Sequence, residues 1–179
     1  MSSTSESQLS RRAIVRIGAA GIGTLGLGLV AAAPAEAAKQ SGWRWCHRCQ
    51  VLFYGANTTT GWCPYGGGHD WKGSGVYTPA YGSGEPGQTR WRWCKKCQGM
   101  WWGGSNNRGR CPSGGGHSAD GSGDYHLRYG NHPGGKYQDG WRWCRDCYGM
   151  CYSENGNGRC PAGGGHNFSG SGSYHLPYE

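Results

Sequence analysis

Beyond Ala38 the chain contains no isoleucine, and its only leucines and valines there are Val51, Leu52, Val76, Leu127 and Leu176. That scarcity excludes an ordinary aliphatic core, the usual offset to the entropy of ordering a backbone. With 37 glycines in 179 residues, composition alone describes a low-complexity or disordered chain. Acidic residues are also few, ten against eighteen Lys and Arg. If the chain folds, something other than aliphatic burial must hold it together.

What is present is tryptophan, cysteine and repetition. All ten tryptophans lie beyond Ala38, and Trp43-Arg44-Trp45-Cys46 recurs as Trp91-Arg92-Trp93-Cys94 and Trp141-Arg142-Trp143-Cys144. Each copy continues through a second cysteine (Cys49, Cys97, Cys147), a short apolar run, a polar turn and a Cys-Pro pair (Cys63, Cys111, Cys160). A Gly-Gly-Gly-His turn then ends at His69, His117 or His166, and an aromatic segment carrying Tyr77, Tyr125 or Tyr174 closes the unit near Tyr81, Tyr129 or Tyr178. The repeats are 38–81, 82–129 and 130–179, the second and third including Gly/Pro-rich connections at 82–90 and 130–140. Trp-x-Trp has the period of a half-buried strand, so the expected fold is all-β, without helices. Three two-hairpin repeats are expected, strung as beads or closed about a pseudo-threefold axis in the manner of a β-trefoil.

The cysteines and histidines follow C-x2-C-x13-C-x5-H in the first two copies and C-x2-C-x12-C-x5-H in the third. Three thiolates and an imidazole form a closed tetrahedral set for zinc, with the Cys-x-x-Cys turn supplying two ligands. The candidate ligands are Cys46, Cys49, Cys63 and His69; Cys94, Cys97, Cys111 and His117; and Cys144, Cys147, Cys160 and His166. Three structural zinc ions are therefore expected, each able to replace part of a missing core. Disulfides are the rival, but three cysteines per copy strand one thiol in each. The tenth cysteine, Cys151, aligns with Phe53 and Trp101 and reads as a buried free thiol. His47, His126, His132 and His175 do not recur in all copies and read as surface residues.

Trp-Cys-x-x-Cys, as in Trp45-Cys46-His47-Arg48-Cys49, resembles the opening of Ran-binding-protein-type zinc fingers, and a knuckle followed by a second ligand turn is similar to zinc ribbons in general. The resemblance covers about five residues per copy. Those families close with a second Cys-x-x-Cys, whereas this chain closes with Cys-Pro-x-Gly-Gly-Gly-His, so their recognition of single-stranded RNA does not carry over. The whole repeat also resembles one found in uncharacterised secreted bacterial proteins.

Residues 1–37 read as an address rather than as fold. Ser10-Arg11-Arg12-Ala13-Ile14-Val15-Arg16 precedes a glycine-rich apolar stretch and resembles a twin-arginine export signal, with Ala35-Glu36-Ala37 as a small-x-small cleavage motif. An uncleaved anchor is the alternative, since Ile14 to Ala33 has about the length of a membrane span. Cleavage near Ala38 lowers the formal charge from +8 to +7 and leaves an extracellular, basic protein without membrane attachment. The twin-arginine route carries folded proteins, so metal can be loaded before transport.

For function, Asp70, Asp120, Asp124 and Asp146 are each confined to one copy, and a closed zinc set leaves no position for activated water, so an enzyme is not expected. The leading expectation is a binding protein for glycan or cell-wall polymer, three similar sites adding avidity. Candidate contacts are Arg44, Arg92 and Arg142, on strand faces opposite the tryptophans, with Trp62, Trp71 and Trp102. For Trp43, Trp45, Trp91, Trp93, Trp141 and Trp143 together, burial as core and use as contact surface stand as equal readings. The alternatives are extracellular nucleic-acid binding through Lys95, Lys96, Arg108 and Arg110 with aromatic stacking, or a component docking on another secreted protein.

Overall fold

The computed structural model describes residues 38–82 and 84–179, all within one unit, Pro34–Glu179. The twin-arginine motif and cleavage site lie outside the described residues. Among those residues no helix is long and apolar enough to cross a membrane.

The Trp-x-Trp segments form strands as their period demands. In chain order the strands are β1 (Ala38–Lys39), β2 (Trp43–Trp45), β3 (Leu52–Tyr54), β4 (Ala80–Tyr81), β5 (Gln88–Trp93), β6 (Met100–Trp102), β7 (Tyr125–Tyr129), β8 (Tyr137–Trp143), β9 (Met150–Tyr152) and β10 (Tyr174–Pro177). The fold is all-β and every pairing is antiparallel. Each repeat contributes one strand hairpin, β2–β3, β5–β6 or β8–β9. Its second ligand arm turns back without strands, as in Cys63 N–H to Gly67 O and Gly66 N–H to Cys63 O, both 2.8 Å. β5 and β8 begin inside the segments that read as connections: Gln88–Arg90 and Tyr137–Gly140 are strand.

The last strand of each repeat leaves its own hairpin for its neighbours. β4 pairs β7, β7 pairs β10, and Tyr178 just past β10 bridges back to Tyr77 of the first repeat. The strand order β1-β4-β7-β10-β8-β9, with β5–β6 joined at β7 and β2–β3 apart, does not describe a closed barrel. What closes is a ring of contacts from repeat 1 to 2, 2 to 3 and 3 to 1. Tyr54, Trp102 and Tyr152 donate backbone N–H to Gln98, Tyr148 and Gln50 at 2.9, 2.9 and 2.8 Å.

Trp43, Trp91 and Trp141 are fully buried at the centre with Leu52, Met100, Met150, Leu127 and Leu176. Each indole meets a tyrosine edge from another repeat: Trp43 with Tyr125, Trp91 with Tyr174 and Trp141 with Tyr77, centroids 5.1–5.2 Å apart. Such pairs add about 0.5–1.5 kcal/mol beyond burial. The same tyrosines donate to glutamines: Tyr125 to Gln40 at 2.5 Å, Tyr174 to Gln88 at 2.7 Å, and Tyr77 to Gln138. A glutamine three residues before the first tryptophan of every copy was a repeat signal that marked the extra strand length at β5 and β8. The outer tryptophans Trp45, Trp93 and Trp143 are only half-buried, packed at the core's margin.

Candidate metal centres

The zinc knuckle is built where each hairpin turns. Cys46 and Cys49 flank the turn, Gln50 N–H returns to Cys46 O at 2.8 Å, and Gln50 adopts φ +70°, a left-handed conformation costly for a residue with a Cβ. Gln98 and Tyr148 repeat it at +65° and +67°. The second arm closes through the glycine turn. Gly66 and Gly67 have φ of +89° and +69°, whereas Gly68 is required for space, since a Cβ there would lie 1.8 Å from Thr60 Oγ1.

Each set of three cysteines and one histidine converges, with all four donor atoms within 4.8 Å of one another and every residue buried. The Nδ1 to Sγ distances are 3.4 Å for His69–Cys49 and 3.5 Å for His117–Cys97 and His166–Cys147. Cys94–Cys111 and Cys144–Cys160 sulfurs stand 4.0 and 3.9 Å apart. Zinc with sulfur at about 2.3 Å and nitrogen at about 2.0 Å gives tetrahedral edges of roughly 3.7 Å for S–S and 3.5 Å for S–N, so the donors fit the ion. The same separations are far beyond a disulfide bond of about 2.05 Å, and all ten cysteines are free.

The second nitrogen of each histidine fixes the ligand tautomer. Nε2 of His69, His117 and His166 lies 3.1, 3.1 and 3.0 Å from the backbone carbonyls of Cys97, Cys147 and Cys49. A carbonyl only accepts, so Nε2 carries the proton and Nδ1 presents its lone pair to the cysteine sulfurs, as a metal-binding imidazole must. The acceptor is in every case a ligand cysteine of the next repeat, which links the three sites in a ring. Gly61, Gly109 and Gly158 let that ring close: a Cβ at each would fall 2.2–2.5 Å from the same three carbonyl oxygens.

Electrostatics agree. Hydrogen bonding from Cys49 holds the Cys46 thiol far below its usual range, while burial and the neighbouring sulfurs push Cys49 far above it. Cys94, chiefly through Cys111, and Cys144, chiefly through Cys147, are lowered likewise, while hydrogen bonding with Cys111 and with Cys144 raises Cys97 and Cys147. Burial lowers His69, His117 and His166, but the adjacent cysteines outweigh it and raise all three to about 9, so without metal the sulfurs hold a proton on Nδ1 that a bound cation would displace. Three thiolates cannot all ionise in a buried site without a compensating cation. The clusters are three structural zinc sites, each with a neutral imidazole and three thiolates completing the ion's shell.

Rings shield them. Phe53 stacks on His69 at 4.6 Å and Trp101 on His117 at 5.2 Å, and in the third repeat, where Cys151 replaces the ring, Phe168 covers His166 at 6.3 Å. Cys151 is fully buried, and burial raises its thiol.

The candidate contact residues separate. Trp62 and Trp71 are exposed, whereas Trp102 is half-buried, edge-on to Trp143 at 6.2 Å and stacked on Tyr148 at 6.3 Å, and so belongs to the packing. Arg92 pairs with Asp124 at 3.2 Å, Arg44 donates to Gly75 O at 3.4 Å, and Arg142 is half-buried on β8. Lys95 is paired with Asp120 at 2.7 Å and Lys96 donates to Gly114 O at 2.7 Å, while Arg108 and Arg110 are exposed. His175 corrects the surface expectation. It is 3% exposed, with Nδ1 2.5 Å from Asp139 Oδ1 and Nε2 2.8 Å from Gly130 O. Its partner lies 36 residues away in an unrepeated position, so no pattern in the sequence connects them.

A hollow of about 590 Å³ lies where repeat 3 meets repeat 1, lined by Trp45, Tyr137, Asp139, Tyr152, Asn155 and Tyr178 among others. A second, of about 410 Å³, lies at the zinc end beside Pro64, Pro112, Pro161, Arg110 and Arg159. Comparison with known proteins finds no matching family model, no similar curated protein and no similar solved structure.

Proposed function

We propose that the protein is a non-catalytic binding protein, exported by the twin-arginine route, whose zinc-held body presents aromatic side chains to a glycan or cell-surface polymer. The observation that carries this reading is the disposal of aromatic rings. A chain with almost no aliphatic core material nevertheless leaves Trp62, Tyr65, Trp71 and Tyr129 exposed at 56, 46, 45 and 58%. Rings left in solvent by a protein short of apolar residues are contact surface, and stacking on sugar faces is their ordinary use. The reading as non-catalytic rests on zinc sets whose four protein donors leave no position for activated water.

A second reading, extracellular nucleic-acid binding, has its own observation. Arg48 and Arg159 flank the exposed Tyr65 ring at 5.6 and 5.3 Å, an arrangement suited to phosphate contact beside base stacking. Against it, each zinc set of one dication and three thiolates carries a net negative charge that offsets the neighbouring arginines. The test is a binding series on insoluble glycans, soluble oligosaccharides and single-stranded DNA at rising salt. Glycan binding that persists at high salt is the expected result; binding to DNA alone, falling steeply with salt, overturns the first reading in favour of the second.

A further inference from the structure

The three junctions between repeats are built from equivalent positions, yet their tryptophans meet different neighbours. Where repeat 1 meets repeat 2, Asn57 Nδ2 reaches across to Gln98 Oε1 at 2.5 Å, and Gln98 in turn accepts from Trp93 Nε1 at 3.1 Å. Where repeat 2 meets repeat 3, Trp102 and Tyr148 close over Trp143 at 6.2 and 5.2 Å. Where repeat 3 meets repeat 1, Tyr152 stands edge-on to Trp45 at 6.0 Å, and the hollow of about 590 Å³ opens beside them. Its size falls within the roughly 300–1,000 Å³ of small-molecule sites.

Two sequence differences account for the opening. The polar turn between the hairpin and the Cys-Pro pair runs 153–159 in repeat 3 but 55–62 and 103–110 in the others, one residue shorter, and its Asn155 lines the hollow instead of bonding across the junction as Asn57 does. On the opposite wall, the glutamine register places Tyr137 and Asp139 where the other repeats have Lys39 with Ser41 and Gly87 with Thr89.

The hollow is polar on one side and aromatic on the other. Asp139 Oδ1 lies 2.5 Å from His175 Nδ1 and 3.5 Å from His132 Nε2, and His175 Nε2 lies 2.8 Å from Gly130 O. Among the described residues Asp139 Oδ2 has no hydrogen-bond partner, nor has the Asn155 amide, and both stand beside aromatic walls. An aromatic wall beside a carboxylate oxygen and an amide suits the hydroxyls and ring face of a neutral pyranose, while the carboxylate disfavours a phosphate.

Resting on the glycan reading above, we propose that this hollow is a single binding site for one neutral pyranose unit, with Trp45 and Tyr152 as its walls and Asp139 and Asn155 as its hydroxyl partners. Asn57 bonds across one of the other junctions and Trp102 with Tyr148 covers the other, so the three repeats supply one such site, not three sites adding avidity.

The test is calorimetric titration of the zinc-loaded protein with neutral hexasaccharides of glucose, mannose and N-acetylglucosamine, with zinc counted by native mass spectrometry. One equivalent of one of these saccharides per chain is expected. Asp139→Asn, which keeps the shape, should weaken it about tenfold, the scale of a hydrogen bond to a charged group. Insertion of one glycine after Asn155, restoring the turn length of the other repeats, should weaken it at least as much while three zinc ions are retained. Three equivalents per chain, or affinity unchanged in both variants, overturns this site and leaves the glycan reading standing. No heat with any of the three saccharides, from protein holding three zinc ions, overturns both.

Discussion

The zinc end and the strand end of this molecule are built from the same three repeats, yet they tolerate variation very differently. At the zinc end the histidine bonds to the next repeat span 3.0–3.1 Å and the nitrogen to sulfur distances 3.4–3.5 Å. Among the strand side chains, by contrast, equivalent positions hold Phe53, Trp101 and Cys151 facing the zinc sites, or Tyr54, Trp102 and Tyr152 at the core's margin. A metal's bond lengths allow no substitution of donors, whereas packing adjusts collectively. Where Cys151 removes a ring, Phe168 supplies one from a different element. At the centre of the ring the repeats also differ: Val51 stands in repeat 1 where the others have Gly99 and Gly149, and a Cβ at Gly99 would lie 3.3 Å from Val51 Cγ1, closer than ordinary contact.

The largest effect should follow from removing the metal. Structural zinc contributes an apparent ~10–16 kcal/mol in small modules, and here each site hydrogen-bonds the backbone of the next. Stripping with a strong chelator should therefore release all three ions with one loss of tryptophan fluorescence, read by native mass spectrometry on the same samples. Three separate steps would show that the ring of histidine bonds does not couple the sites. Cys97→Ser should weaken zinc retention at its own site and, through the His69 bond to Cys97 O, at the first site too.

A contrast between two glycines sharpens the comparison. Gly109 has φ +61°, and a Cβ there would sit 2.2 Å from Cys147 O, in the seam between repeats. Gly109→Ala should cost at least ~3 kcal/mol, since strain and overlap combine. Gly66 has φ +89° with nothing near its added Cβ, so Gly66→Ala should cost only about 1 kcal/mol. Urea denaturation of zinc-loaded protein measures both, and equal costs would break the claim that the seam is the tighter feature.

The division between what the sequence declared and what it concealed follows the same line. The twelve ligands were legible because side-chain chemistry at fixed spacing is written in residue types, and the Trp-x-Trp period announced the strands. The ring was not legible, because its hydrogen bonds end on backbone carbonyls of Cys49, Cys97 and Cys147, groups every residue possesses. The period of two placed Trp43 and Trp45 on one face but could not tell that the outer tryptophans would sit at the core's margin. His175 and Asp139 were hidden by their distance in sequence and by occurring once, which removed the repeat signal that exposed everything else.

The strand end should respond to alkali before the zinc end does. Burial, reinforced by Tyr129, raises the Tyr174 hydroxyl from 10 to about 12, and burial likewise raises Tyr77 and Tyr125. A folded-state value above the unfolded one means that the stability these three contribute is complete below pH 10 and is lost as pH rises through the folded value. Thermal denaturation at fixed zinc should thus show a midpoint insensitive to these groups between pH 7 and about 9 and falling above about 10. Tyr174→Phe, which removes one titrating group and its bond to Gln88, should make that fall shallower.

The smallest effect concerns one indole. Trp45 and Trp93 donate Nε1–H to Gln50 and Gln98 at 3.0 and 3.1 Å, whereas the third repeat has Tyr148 in that place and Trp143 Nε1 is buried without a partner. Tyr148→Gln would restore the acceptor, a gain of about 1 kcal/mol, but would remove the ring that stacks on Trp102 and meets Trp143 edge-on, a loss of about 0.5–1.5 kcal/mol. The two nearly cancel, so the urea midpoint should move little, while the Trp143 indole proton should shift downfield in an NMR spectrum as it gains a hydrogen bond. A large destabilisation instead would mean that aromatic closure of the junction between repeats 2 and 3 outweighs indole satisfaction, and that the strand end selects its residues for covering each junction rather than for repeating a bond.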